Sequence, residues 1–378
     1  MEEKRKGIRS FSLKECFGET KANDSRQIEL DIVRALGVIF MVACHVYINL
    51  RGDVTTPFGY IMDNIIGGPF AAPVFMFAMG MALVYSRHSD ANSLLWRGLK
   101  LLILGYVLNF VRLCLPVLIA YGVSRDPAVF SVFLEQLLCV DIFQFAGLAL
   151  LVIGLFKKLK LDWWYLLLLA VVLSLLGSFL KDKSSGILAL DLFLSLFYKA
   201  NPYSYFPLFH WLLIPVVGMK VGEWHIRLTD KKRFYLFVLM VIFPISCCFE
   251  LGAYLTNTHL LSEAAYYFYF YLPSGIFLCG FALAWIALVG LIVGLCKKPR
   301  CGFLVWISKN TLPIYCIHWV LIGFLMTFSD LYWPYETLPV WQWALFFLAI
   351  LGGSMLLCLA YQKAKVALIH KIKARPMP

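Results

Sequence analysis

Charge is what this 378-residue sequence has little of: Lys, Arg, Asp and Glu together make up 15% of it. Soluble domains carry about 25%. That scarcity excludes an ordinary soluble enzyme. It also excludes a disordered regulator, which needs low hydrophobicity and high net charge. No HExxH-type cluster of His, Asp and Glu is present, so no metal site is expected. Nucleotide-binding glycine loops, heptads and low-complexity tracts are missing as well. No internal repeat is convincing, which leaves an inverted-repeat transporter with little support. The first 26 residues are basic and lead into an apolar segment without a small-residue cleavage site, so no cleavable signal peptide is expected. The 11 cysteines show no metal-site spacing. Most of them (Cys44, Cys114, Cys139, Cys247, Cys248, Cys279, Cys316 and Cys358) fall in apolar runs and read as small buried hydrophobes. Cys16 and Cys301 lie in basic loops and are reduced if those loops are cytosolic.

What the chain has in abundance is apolar surface. Hydrophobic residues make up 61%, with 31 Phe and 19 Tyr, and the mean hydropathy is +0.78. A membrane-crossing helix needs about 20 apolar residues. Apolar segments occur at about 32–50, 64–85, 99–119, 131–156, 163–180, 205–221, 234–256, 273–296, 303–327 and 341–361. The fold class is therefore all-α: a polytopic membrane protein of about ten transmembrane helices. A single membrane domain over 27–361 is expected between basic tails at 1–26 and 362–378. The segments 205–221 and 303–327 are the weakest, the first short and proline-flanked, the second opening on polar residues.

The net charge of +12 suggests not nucleic acid but topology, because the basic residues cluster between apolar runs. With the N-terminus inside, 28 of the 34 Lys and Arg residues fall on the cytoplasmic side. Arg51, Arg112, Arg125, Lys181, Lys183 and Lys199 fall on the other. This split places both termini in the cytoplasm. On the outer side, residues 188–205 read as an interfacial helix or a plain loop. The aromatic-rich loop 257–272 reads as a belt or as the rim of an acceptor site. Small-residue patches at Gly67–Gly68, Gly290/Gly294 and Gly352–Gly353 can pack helices within the chain or between copies in an oligomer.

Ionisable groups at membrane depth are expensive and default to functional hypotheses. In the first span Asp31 and Arg34 sit near the cytoplasmic end. His45 follows eleven residues later, about 16 Å along the axis and on roughly the same side. Arg34 lies inside the helix boundary, where topology alone does not demand it, and an arginine fork suits phosphate. Asp141 and Gln144 share one face of the fourth span. His318 lies far along the ninth, and His210 near the outer start of the sixth. A carboxylate can orient a histidine that acts as general base, and His45 with Asp141 is the obvious pair. His318 and His210 also read as interfacial belt residues. Arg112 is anomalous near the outer end of the third span, with Asp141 or Glu250 as candidate partners. Arg87 and Arg97 flank the cytoplasmic side between the second and third spans, where a positive-inside signal is the simpler reading.

Beyond single residues, Arg34 and His45 reproduce the Arg-x10-His spacing of the integral-membrane acyltransferases that O-acetylate bacterial surface polysaccharides. LDIVRALGVIFMV, GGPFAAPVFMFAMGMAL, VDIFQFAGLALLVIGL, FPLFHWLLIPVVGMKVG and SKNTLPIYCIHWVLI resemble the heparan-alpha-glucosaminide N-acetyltransferase catalytic-domain family, in order, over about 26–361. The resemblance implies a membrane acyltransferase, its donor acetyl-CoA or another acyl-CoA taken from the cytoplasm. It implies an acceptor that is a hydroxyl or amine of a carbohydrate or glycoconjugate at the outer face, membrane lipid around it, and a bacterial inner membrane. By the same resemblance His45 is the catalytic histidine, as base or transient acyl carrier, and Arg34, Arg87 and Arg97 serve the donor. The polar residues of the spans add Asp141, Gln144 and His318 as catalytic candidates beside His45, Asp31 beside Arg34 at the donor end, and His210, Arg112, Glu250 and Asn310 as acceptor-side or oxyanion candidates. The heparan family places its key histidine in the outer loop after the first helix. Here that loop, about 51–63, has none. The rival readings are a transporter or flippase of a lipid-linked sugar, and a non-catalytic partner in an envelope assembly.

Overall fold

A computed structural model describes residues 13–50, 52–260, 268–296, 301–332 and 337–373. The described residues form ten main helices and two isolated β-bridges. The helices are α1 (Ile28–Asn49), α2 (Ala72–Tyr85), α3 (Ala91–Ser124), α4 (Ile142–Lys158), α5 (Trp163–Leu180), α6 (Leu213–His225), α7 (Lys231–Leu255), α8 (Leu272–Leu295), α9 (Thr311–Tyr332) and α10 (Val340–Lys373). Seven of them, α1, α3, α5, α7, α8, α9 and α10, are long and apolar enough to cross a membrane. The other three are shorter and well enclosed: more than half the residues of α2, α4 and α6 are buried, as is also true of the long α1. A helix surrounded by other helices need not present a full apolar span to lipid, so these three are short. The chain is an integral membrane protein.

Two helix pairs organise the bundle, α3 along α4 and α2 along α6. The α3–α4 crossing is set by facing glycines: a Cβ on Gly98 would lie 2.7 Å from the Gly147 carbonyl oxygen, and one on Gly147 2.8 Å from that of Gly98. Small residues that let backbones touch are the usual device for helix contact in lipid, where hydrophobic burial gives no net drive.

Several boundaries differ from the hydropathy reading, each for a local reason. The segment 64–85 opens with a π-helical stretch, Ile61–Ile66, and a glycine-containing turn before α2 begins. The segment 131–156 is not one helix. A short helix, Phe133–Leu137, is followed by a bridge from Val140 to the 203–206 loop, and α4 starts at Asp141. Asp141 caps α4 through a capping box with Gln144, which ends the run that hydropathy joins together. The ninth segment breaks at Asn310 into Gly302–Lys309 and α9. The last helix continues through the basic stretch to Lys373.

Residues 13–27 are docked. Gly18 N–H donates to the Arg227 carbonyl at 2.9 Å and Thr229 N–H to that of Cys16 at 2.9 Å, while Phe17 packs edge-on against Phe234. Leu188–Leu194 is a short helix whose Asp191 accepts from the Ser184 hydroxyl and the Ser185 N–H. Of the aromatic run in the 257–272 loop, Phe268, Tyr269, Phe270 and Tyr271 are described, and Tyr266 and Tyr267 lie outside the described residues.

Candidate active site

One face of α1 carries Arg34, Gly37, Met41, His45 and Ile48, steps of three and four residues that keep them in line. All five line one cavity of about 820 Å³, within the range of small-molecule sites. The face of α9 does the same at four-residue steps: Thr311, Tyr315, Trp319 and Gly323 line the cavity too, with Trp319 against His45. Arg34 and Arg97 border the cavity in the part lined by the start of α1 and of α3. Tyr203, Tyr205, Glu250 and Leu260 border it in the part reached by the far ends of α1 and α7. His45 lies between, about 16 Å from Arg34 by helical rise.

Around His45 the contacts are specific. Its Nδ1 is 3.1 Å from His318 Nε2, and the rings stack with 10° between planes. His318 Nδ1 is 3.2 Å from the Ile314 carbonyl oxygen. A carbonyl only accepts, so His318 carries its proton on Nδ1 and its neutral ring accepts at Nε2. His45 must then donate from Nδ1, and its Nε2 is left with a lone pair. That is the tautomer a general base requires. His318 is fully buried and absent from the cavity wall, so it stands behind His45 as a positioning residue.

Arg112 sits in a π-helical turn of α3, Phe110–Cys114, a feature that recurs at functional sites. Its Nη2 is 2.7 Å from Asp141 Oδ2 and 3.2 Å from Asn109 Oδ1. Its guanidinium lies 4.1 Å over the Trp319 ring. The same indole also meets His45, at 4.2 Å between centroids with the rings tilted by 34°. Gly323 permits this approach: a Cβ there would lie 1.9 Å from the Arg112 carbonyl oxygen. Arg112 is a residue of the cavity wall, and its Nε and Nη1 are buried with no hydrogen-bond partner among the described residues. A guanidinium fixed by an ion pair beside the cavity, with two donors still unmet, is a candidate for stabilising a developing oxyanion.

Of the two partners the sequence offers Asp141, His45 and Arg112, the structure gives it Arg112. It holds Arg112, accepts from the Ile142 N–H at 2.7 Å and accepts from the Tyr315 hydroxyl at 3.2 Å. His45 takes His318 instead. Asn109 ties the approach to Asp141, donating to the carbonyls of Leu137 and Cys139 at 3.1 and 2.8 Å.

The remaining candidates divide by location. Arg97 lines the cavity and donates to the His88 carbonyl at 3.2 Å. Glu250 lines it too, with Oε1 accepting from the Leu260 N–H at 2.8 Å. Arg34 lines it with no ion pair among the described residues, because Asp31 is bound by Arg26 and the Ser308 hydroxyl. Asp31 itself is off the wall, as are Arg87, Gln144, His210 and Asn310. Gln144 caps α4. His210 packs against the Phe270 carbonyl at 3.1 Å, and Asn310 bonds Trp306 and Gln362. Trp319, Tyr315, Asn109 and Asp63 are wall or support residues the sequence reading did not single out as site residues. Burial pushes the Asp63 carboxyl above its ordinary range. For Tyr315 and Trp319 the signal was present: four-residue spacing from Thr311 to Gly323 marks one helix face. No group of three or more His, Cys, Asp and Glu suited to a metal occurs among the described residues.

The sequence model of a family described as an acyltransferase domain matches residues 27–360. Searches of curated proteins and of solved structures find no match. The matched stretch takes in every helix that lines the cavity.

Proposed function

We propose, starting from the chain's membership of the acyltransferase-domain family, that it carries an acetyl or other short acyl group across a bacterial cytoplasmic membrane. The donor is acyl-CoA from the cytoplasm. The acceptor is a hydroxyl or amine of a sugar at the outer face, a choice supported by the ordered segments resembling the heparan-alpha-glucosaminide N-acetyltransferase family. About ten crossings with both termini inside give the required sidedness.

The observation that carries this reading is one continuous cavity with free arginine at one end, a lone-pair imidazole nitrogen in the middle and aromatic and carboxylate groups at the other. Arg34, which makes no ion pair among the described residues, and Arg97 meet the phosphates of the donor. The pantetheine arm runs along the apolar stretch of Met41, Phe75, Met76 and Met79, placing the thioester near His45. His45 Nε2 takes the proton of the acceptor hydroxyl or amine as its oxygen or nitrogen attacks the thioester carbonyl. The carbonyl oxygen becomes an oxyanion facing Arg112 Nε and Nη1. As it collapses, the C–S bond breaks and the leaving thiolate takes the proton from His45. The products are the acylated acceptor and CoA, and the enzyme is unchanged. His318 holds the Nδ1 proton throughout.

The test is a sided one. Purified protein is placed in proteoliposomes with labelled acetyl-CoA outside and a sugar acceptor enclosed. Label appearing on the enclosed acceptor while free CoA accumulates outside supports the reading. Transport of either substrate without acyl transfer, or no use of acyl-CoA at all, overturns it in favour of a transporter or a non-catalytic partner.

A further inference from the structure

Asp31 and Arg34 stand three residues apart on α1, and side chains at that spacing are neighbours on one helix face. A carboxylate and a guanidinium so placed pair readily, yet here they do not. Asp31 is buried, at 4% exposure, and other groups take its carboxylate. Arg26 closes on it as a two-pronged fork, Nε donating to Oδ2 and Nη2 to Oδ1 at 2.7 Å. The Ser308 hydroxyl donates to Oδ1 at 2.8 Å. An arginine fork on a carboxylate is among the strong hydrogen-bonded pairs, and it fixes geometry as well.

Arg26 is not a loose tail residue. The stretch before it is pinned to the end of α6 and the turn that follows. The Asn23 N–H donates to the Ile226 carbonyl at 2.9 Å, and its side-chain amide donates to the His225 carbonyl at 3.3 Å. Just after Arg26, the Gln27 side chain accepts from Lys231, which also pairs with Glu29 at 2.7 Å. Arg26 is thus anchored on both sides, with its guanidinium presented to Asp31. It is half exposed and is not a residue of the cavity wall, whereas Arg34 is.

The consequence is electrostatic. Arg26, Asp31 and Arg34 together carry one net positive charge, and Arg34 is the member that borders the cavity. Without Arg26, a buried carboxylate loses its cation, and Arg34 is the cation beside it on the same helix face. That pair is neutral, and an anionic ligand would have to compete with Asp31 for Arg34. We propose that Arg26 is a positioning residue for Arg34: it occupies Asp31, so that Arg34 is left for the phosphates of a ligand at this end of the cavity. That the ligand is CoA rests on the acyl-transfer reading; the sequestering of Asp31 does not.

The test uses the full chain in detergent and two binding-site readouts. One is CoA affinity by calorimetry. The other needs no ligand: the rate at which phenylglyoxal, an arginine reagent, modifies Arg34, followed by peptide mass spectrometry. Arg26→Gln should weaken CoA binding about tenfold, the scale of a hydrogen bond to a charged group. It should slow Arg34 modification by about threefold or more, because Arg34 is then paired. In acyl transfer its KM for acyl-CoA should rise while kcat stays within about twofold of wild type. Asp31→Asn leaves both arginines without their carboxylate and should bind CoA about threefold more tightly than wild type. The double variant has the wild-type net charge beside Arg34, and both readouts should return to within about threefold of wild type. A merely structural role for Arg26 gives no such rescue, since neutralising Asp31 does not reattach a segment.

Wild-type CoA affinity or a wild-type Arg34 labelling rate in Arg26→Gln overturns the inference. So does a double variant that binds CoA as weakly as Arg26→Gln. If Arg26→Gln fails to fold, Asp31→Asn alone decides: weaker CoA binding than wild type overturns the inference, and tighter binding supports it. If no form binds CoA, but Arg26→Gln slows Arg34 labelling and the double variant restores it, this inference stands and the acyl-CoA reading falls.

Discussion

Replacing His318 with leucine removes the one acceptor that holds the His45 tautomer. His45 Nδ1 faces His318 Nε2 at 3.1 Å, and His318 is fully buried, so no water takes its place. In the variant the productive tautomer of His45 points an N–H at a methyl group. An unmet buried donor costs about 1–3 kcal/mol. Each 1.36 kcal/mol is tenfold in population or rate, so kcat should fall about five- to 150-fold. The KM for acyl-CoA should stay within about twofold, because His318 is not part of the cavity wall. His318→Gln returns an amide oxygen and should recover kcat to within about fivefold of wild type. The assay is the initial rate of labelled acyl transfer in proteoliposomes at saturating acceptor, with thermal unfolding measured in parallel. A His318→Leu enzyme that folds and turns over at the wild-type rate refutes the positioning role. So does a His318→Gln enzyme as slow as the leucine variant, because the loss then has nothing to do with an acceptor at that point.

Other outcomes follow from the same geometry. Arg34 makes no ion pair among the described residues, so Arg34→Ala should raise the KM for acyl-CoA about tenfold or more with little loss of thermal stability; an unchanged KM removes Arg34 from the donor site. Asp141→Asn strips the partner from a guanidinium that is 3% exposed, which should destabilise the protein by about 3–5 kcal/mol. Adding Arg112→Met to Asp141→Asn should recover most of that stability but not activity, as read by unfolding temperature and transfer rate together. If the double variant is as active as wild type, Arg112 does not face the oxyanion.

The cavity wall was largely legible from spacing. Arg34 and His45 share a face because eleven residues are three helical turns, and that alone put two chemically distinct groups along one wall. The histidine's true partner was not legible. His45 and His318 are 273 residues apart, and which of several polar groups meets His45 depends on how α9 rotates against α1. That rotation is set partly by Gly323 against the Arg112 backbone, a contact between helices that periodicity within one helix cannot reveal. Asp141 illustrates the other limit. The apolar run 131–156 conceals a helix start, and Asp141 is the capping residue there, which turns it toward Arg112 and Tyr315. The orientation of the N-terminal segment was likewise hidden, because Cys16 and Phe17 are docked by backbone pairing with 227–229, and not by any pattern of their own. Hydropathy overreached most where helices are enclosed: α2 and α6 are only 14 and 13 residues long.

The central claim is that His45 is the base that moves the acyl group. The direct measurement is acyl transfer by His45→Ala in proteoliposomes, with acyl-CoA binding followed by thermal shift as the check that the site is intact. The variant should still be stabilised by acyl-CoA, since Arg34 and Arg97 remain, and its transfer rate should fall at least about a hundredfold, the usual loss on removing a general base. A His45→Ala protein that transfers acyl groups at the wild-type rate contradicts the account.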